Sequence, residues 1–229
     1  MCYSVESSLK TTSISLVAII YLLSSGIPHF KWIACALIGW CSMQFAELLL
    51  WLTKPRKECT IWNKIITLTL IPIVLMLQPL GALWGSIYAI PWNKSSPFRK
   101  NFMIYYTIFV VLLILGYTFI NPYKLCTTVT PKGRLFWGTS KYREYNNFDY
   151  LIIFMWGFLL SLPLAMFWNK SWLPIIVLAI APFMGFLYGL STDGKPSIWC
   201  YYTSYGSIIA IILLALTQTK IIDVMKGIH

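Results

Sequence analysis

The sequence predicts an all-α fold, a bundle of seven transmembrane helices that forms one integral membrane domain over residues 1–229. Three observations predict it. Apolar residues make up 58% of the chain and charged residues only 11%, where a soluble domain carries about a quarter charged residues. The apolar residues fall in seven long blocks separated by short basic loops. Within a block they occupy consecutive positions, whereas a membrane barrel strand would alternate. Backbone N–H and C=O groups in hydrocarbon need internal partners, so such blocks form helices.

The blocks run over about 12–25, 32–52, 62–90, 102–120, 150–168, 172–190 and 198–219. A helix crosses the hydrocarbon layer with about 20 residues, and the first block is the shortest. It follows a polar segment, Met1–Lys10, that includes Glu6. No small-residue cleavage pattern comes after it, so this helix is expected to stay as an anchor. The second block opens on Trp32 and carries Glu47. The third opens on Trp62 and contains Pro72 and Pro79, which bend it. The fourth carries no charged residue. The longest loop, about 121–149, is the one candidate for a small element outside the membrane. Trp168, Trp172 and Trp199 mark the ends of the last three blocks, at the depth where indole rings anchor to the interface.

Seven crossings place the two termini on opposite sides. Side A is defined as the side of the N-terminal tail, and side B as the other. Lys and Arg are more numerous on side A, where Lys54, Arg56 and Lys57 cluster. That bias favours an N-terminus on the inside. Cysteines argue the opposite. Cys2, Cys59, Cys126 and Cys200 all map near side A. An oxidising side A would let some of them pair, and the spacing does not say which. The net charge of +11 sits in the loops, so the expected partners are the lipid bilayer and its anionic headgroups, not nucleic acid.

Polar residues inside the spans carry the functional expectation. Glu47 is the acidic residue that falls clearly within one, and no Lys, Arg or His does. A charge at the bilayer centre costs about 2.5–3.5 kcal/mol on insertion scales, so such residues face the bundle interior and mark a pathway or a partner. Glu47 lies about five residues, roughly 8 Å, from the side A end of its helix. At the same end the last span opens with Cys200, Thr203, Ser204 and Ser207 on one helical face. Gln78 sits mid-span before Pro79, where it can line a cavity or bond the carbonyl that Pro79 frees. Glu47, Gln78, Cys200, Thr203 and Ser204 are therefore the candidate ligand or ion pathway. Ser42, Gln44 and Ser161 are weaker candidates.

Several classes are excluded. A retinal protein needs a Lys in the middle of the last helix, and Lys195 and Lys220 flank it instead. His29 and His229 lie in a loop and at the chain end, so no zinc or Ser–His site is expected. No catalytic set, metal site or cofactor is indicated. Cys200 with Glu47 is the one nucleophile–acid pair to nominate for a lipid enzyme, and an enzyme is the less favoured class. A short match between Trp84–Ile90 and Tyr205–Ile211 would suit a three-plus-one-plus-three transporter repeat.

Met1-Cys2-Tyr3-Ser4, Glu47, Gln78-Pro79 and Trp199-Cys200 followed by Ser204 together resemble an uncharacterised family of small multi-pass membrane proteins. The likeness spans the chain through scattered short motifs. It implies a topology and a residue set, with no established activity to carry over. Relatives often have a His four residues before the Gln, where this chain has Val74. The expected function is a transporter or channel for a small solute or ion that uses the buried carboxylate. The alternative is a non-catalytic receptor or interaction scaffold in which Glu47 is structural.

Overall fold

The computed structural model describes residues 4–55, 59–120, 126–129, 133, 135–137, 155, 158–163 and 195–218, without the side chains of 120, 137, 195–204, 217 and 218. These residues are mostly helical. Four helices are long and apolar enough to cross a membrane: Val5–Ser24, Pro28–Leu52, Ile61–Gly85 and Pro97–Phe119. The sixth expected span, 172–190, and most of the fifth lie outside the described residues.

Helix α1 (Val5–Ser24) starts seven residues before the expected block. Ser4 caps it, its hydroxyl accepting from the Ser7 N–H at 3.2 Å, and Glu6 in the first turn complements the positive end of the helix dipole. Most of the polar segment Met1–Lys10 that reads as a tail in the sequence forms the first turns of this helix. Ser8, Thr11 and Ser15 are buried on the inward face above Ala18, Ile19 and Leu22.

Helix α2 (Pro28–Leu52) begins with Pro28 in the first turn, where a missing N–H costs nothing. Its end needs a left-handed residue. Lys54 takes that role at φ 56°, a conformation usually given to Gly, and Pro55 follows it. Helix α3 (Ile61–Gly85) is capped by Thr60, whose hydroxyl accepts from the Asn63 N–H at 3.2 Å. A π-helical stretch at Ile66–Leu70 interrupts it, and Pro79 sits inside its second half. It stops five residues before its expected end because the chain turns at Ser86–Ala89.

The closing carbonyls of α3 are all satisfied. Trp32 Nε1 donates to the Ala82 carbonyl at 2.7 Å. The Ser86, Ile87 and Tyr88 N–H groups take Leu83, Trp84 and Gly85. Arg99 Nη2 donates to the Ser86 carbonyl and hydroxyl, at 3.1 Å each. Arg99 belongs to α4 (Pro97–Ile120), so this guanidinium also ties α4 to the turn. Further along α4 the Tyr106 hydroxyl donates to the Leu159 carbonyl, within the helical residues 158–163.

The long loop contains what an all-α expectation omits. Strands β1 (Thr127–Val129) and β2 (Leu135–Trp137) pair antiparallel, with Thr127 opposite Trp137 and Val129 opposite Leu135. Gly133 lies between them at φ 78°. Helix α5 (Lys195–Gln218) is the last described element.

Helix α2 is the hub, packed against α1, α3 and α5. In lipid no hydrophobic force drives helices together, so close van der Waals contact must do it, and small residues permit that contact. Gly39 of α2 and Gly81 and Gly85 of α3 provide it. A Cβ on Gly39 would lie 2.2 Å from the Leu77 carbonyl oxygen, and one on Gly81 would lie 2.5 Å from that of Cys35. A Cβ on Gly85 would meet Cys35 Cβ at 2.6 Å. These contacts fix α2 and α3 as antiparallel neighbours. The buried apolar residues form two clusters. The larger joins Leu22, Phe30, Trp32, Ile33, Leu83, Met103 and Leu214. The smaller, toward side A, joins Met43, Ala46, Leu50, Trp51, Ile71, Val74, Leu135 and Leu160. Outward positions such as Leu16, Val17, Ile20, Leu112 and Phe119 are exposed.

Candidate functional site

Polar side chains enter this apolar interior mainly from α1 and α2. The Ser15 hydroxyl donates to Gln44 Oε1 at 2.9 Å, both residues buried, which fixes the register of the two helices. Glu47 follows Gln44 by three residues, about 4.5 Å nearer side A, and is 0% exposed. At 100° per residue it stands about 80° round α2 from the Gly39 face that meets α3. Gln44 stands about 60° further round, on the face that meets α1. Glu47 therefore occupies the angle between the two neighbours. In the antiparallel register set by Ser15 and Gln44, Thr12 comes level with Glu47, and Ser8 with Trp51. The Thr11 hydroxyl bonds back to the Ser7 and Ser8 carbonyls at 3.0 and 3.1 Å, as hydroxyls inside membrane helices do. The buried Ser8 hydroxyl has no hydrogen-bond partner among the described residues.

Helix α5 joins through Ser207, whose Oγ lies 3.5 Å from the buried Cys41 Sγ. Beyond Ser207, Ala210 and Leu214 enter the larger cluster with Ile19, Leu22 and Phe30, toward side B. The preceding turns of α5 accordingly run toward side A, and its residues 200–204 pass the level of residues 44–48 of α2. Cys200, Thr203 and Ser204 belong to that stretch; their side chains lie outside the described residues.

Gln78 is elsewhere. The Gln78 Cα lies 3.0 Å from where a Gly39 Cβ would be, so Gln78 is level with Gly39, eight residues or about 12 Å along α2 from Glu47. It is 0% exposed, and neither its Nε2 nor its Oε1 has a hydrogen-bond partner among the described residues. The amide does not take the carbonyl that Pro79 frees. It is a second polar point near the middle of the bundle. Among the described residues, no three His, Cys, Asp or Glu side chains gather as metal ligands.

The side A end carries a second polar group that the sequence did not announce. The Asn63 amide pairs with both backbone groups of Thr127. Its Nδ2 donates to the Thr127 carbonyl at 2.9 Å, and its Oδ1 accepts from the Thr127 N–H at 2.8 Å. Thr67, in the π-helical stretch, lies 2.9 Å from the Thr127 hydroxyl, and its own hydroxyl donates to Asn63 Oδ1 at 3.2 Å. Next to Thr127, Cys126 is bonded to Cys59 with a Cα–Cα distance of 5.9 Å, inside the usual range for a disulfide. Of the four side A cysteines these two are joined; Cys2 lies outside the described residues, as does the Cys200 side chain.

Two features were legible but unread. Gly81-Ala82-Leu83-Trp84-Gly85 is a G-x-x-x-G spacing, and Ser8, Thr11 and Ser15 fall on one helical face. A groove of about 450 Å³ between the facing ends of α2 and α3 is lined by Leu49, Leu52, Thr53, Lys54, Thr60, Trp62 and Ile66, and includes neither Glu47 nor Gln78. No protein family, curated protein or solved structure matches the chain.

Proposed function

We propose that the chain is a seven-helix integral membrane protein that passes a small solute or ion, with Glu47 as its proton- or cation-sensitive group. One observation carries this: Glu47 is fully buried in a helix long and apolar enough to cross a membrane. A carboxyl group in that setting costs a few kcal/mol, and such residues are kept where they meet a pathway or a partner. Gln44 lies one turn from Glu47 on α2 and is bonded to Ser15 of α1, so oxygen-bearing groups stand near the level of the carboxyl, and such groups suit a hard cation or a proton. Gln78 is a second post nearer the middle of the membrane. The landmarks Glu47, Gln78-Pro79 and Trp199-Cys200 also fit the uncharacterised membrane family that the sequence resembles.

The test is flux in proteoliposomes. Wild-type protein carries at least one of a panel of protons, monovalent cations and small polar solutes, and Glu47→Gln abolishes the flux while expression stays intact. Unchanged flux in Glu47→Gln, or none from wild type across the panel, overturns the proposal.

A second reading, a receptor or interaction scaffold in which Glu47 only fixes helix packing, is favoured by the close contact of α2 and α3 at Gly39, Gly81 and Gly85. It predicts that Glu47→Gln is tolerated and Glu47→Leu lowers thermal stability in detergent. Equal melting of the two variants removes that role.

A further inference from the structure

We propose that side A, the end of the bundle that carries the Cys59–Cys126 bond, faces an oxidising compartment, so that the N-terminal tail and the β1–β2 hairpin lie on the extracytoplasmic side. Two opposed signals left the orientation open in the sequence, and the bond decides between them. Cys59 and Cys126 are 67 residues apart in the chain. A specific arrangement brings them together. Cys59 lies four residues before Asn63, just ahead of the Thr60 cap, and the Asn63 amide grips the backbone of Thr127, the neighbour of Cys126. Thr67 holds the same residue from the π-helical stretch. The hairpin is held from its other strand as well, because the side chain of Leu135 is buried among Met43, Leu50 and Val74. The two sulfurs are thus held in register by groups that do not depend on the bond itself.

The described cysteines outside a disulfide make the contrast. Cys35 and Cys41 are inside α2, away from both ends of the bundle, and carry no disulfide. Pairing is found where the chain emerges on side A. The bond forms when the two thiols give up two protons and two electrons to a disulfide-bearing oxidant of the compartment, which leaves as its dithiol. Glutathione and thioredoxin keep cytosolic thiols reduced, so a structural disulfide of this kind belongs to an extracellular, lumenal or periplasmic space. The excess of Lys and Arg on side A pulls the other way. It is a statistical bias on insertion, whereas a disulfide records which space the thiols met. With this orientation, Asn93-Lys94-Ser95 at the opposite end stays unglycosylated. Glu47, roughly 8 Å from side A, also exchanges with the oxidising space; this last consequence rests on the proposed function, and the orientation does not.

The experiment uses the full-length protein in its native membrane. Free thiols are blocked with a maleimide, the protein is reduced, and newly exposed thiols take a mass tag. Cys59 and Cys126 acquire tags only after reduction, and a Cys59–Cys126 crosslinked peptide is recovered from unreduced protein. An epitope before Met1 is labelled on sealed cells or right-side-out vesicles by a membrane-impermeant reagent. Tags on both cysteines without reduction overturn the proposal, and so does an epitope reached only after the membrane is opened. Both measurements are made on chains with all cysteines intact, so the folding of a Cys59→Ser variant is not at issue. Neither uses flux, so a failed transport assay leaves this result standing.

Discussion

Replacing Gly39 with Ala tests the joint between α2 and α3 directly. The new methyl carbon would sit 2.2 Å from the Leu77 carbonyl oxygen and 2.8 Å from its carbon, where ordinary contact begins at 3.4 Å. The shortfall is about 1.2 Å, against backbone and not against a side chain that can swing away. The helices must part by roughly that distance, which also weakens the contacts of Gly81 and Gly85 with Cys35 and Trp32. Overpacking of this kind costs about 1–3 kcal/mol and often more when backbone is the obstacle. The better helix propensity of Ala returns about 1 kcal/mol at most. A net loss of up to about 2 kcal/mol against wild type follows, and about 1–3 kcal/mol against an alanine that keeps the propensity gain without the clash, at about 2–4 °C of melting temperature per kcal/mol. Gly116→Ala is the control. It lies in α4 with nothing within 4 Å of its added Cβ, so it keeps the propensity gain and melts at or above wild type. The assay is thermal unfolding in detergent, followed by tryptophan fluorescence or loss of the monodisperse peak. Gly39→Ala melting with or above Gly116→Ala would refute the close approach of the two helices.

The remaining predictions concern single hydrogen-bonding groups. Asn63→Ala strips the donor from the Thr127 carbonyl, leaves the Thr127 N–H with Thr67 Oγ1 as its acceptor and removes one partner of Thr67; a buried polar group left unsatisfied costs about 1–3 kcal/mol. It should lower the melting temperature and speed proteolysis of the loop after α4, and equal protease resistance would count against the network. Trp32→Phe keeps an aromatic ring and strips the donor from the Ala82 carbonyl. That should cost about 1–3 kcal/mol, read as an earlier midpoint in a detergent-denaturation titration. An unchanged midpoint would mean that the carbonyl finds another donor.

How much was visible in the sequence depended on how local the cause was. Helices α2, α3 and α4 were plain because their apolar runs are continuous, and only their ends moved by a few residues. The start of α1 was hidden. Ser7 and Ser8 look like part of a solvated tail until α1 packs on α2 and α5, and the giveaway was the helical spacing of Ser8, Thr11 and Ser15, not their polarity. The hairpin could not be foreseen. Thr127–Val129 and Leu135–Trp137 are each three residues long, and they hold through Asn63, Thr67 and a disulfide partner more than 60 residues away. Burial of Glu47 and Gln78 followed from their place in apolar blocks. Their separation along α2 did not, because it depends on the register that Gly39 sets with Leu77 and Gln78.

The most direct measurement is an infrared difference spectrum of the purified protein in lipid, taken as protons or a transported cation are added. If Glu47 meets that ion, the wild-type spectrum shows a change in a glutamic carboxyl band that is missing from Glu47→Gln and present in Gly116→Ala. A carboxyl signal that persists undiminished in Glu47→Gln, or an unaltered spectrum under conditions where flux is observed, would contradict a role for the buried acid in transport.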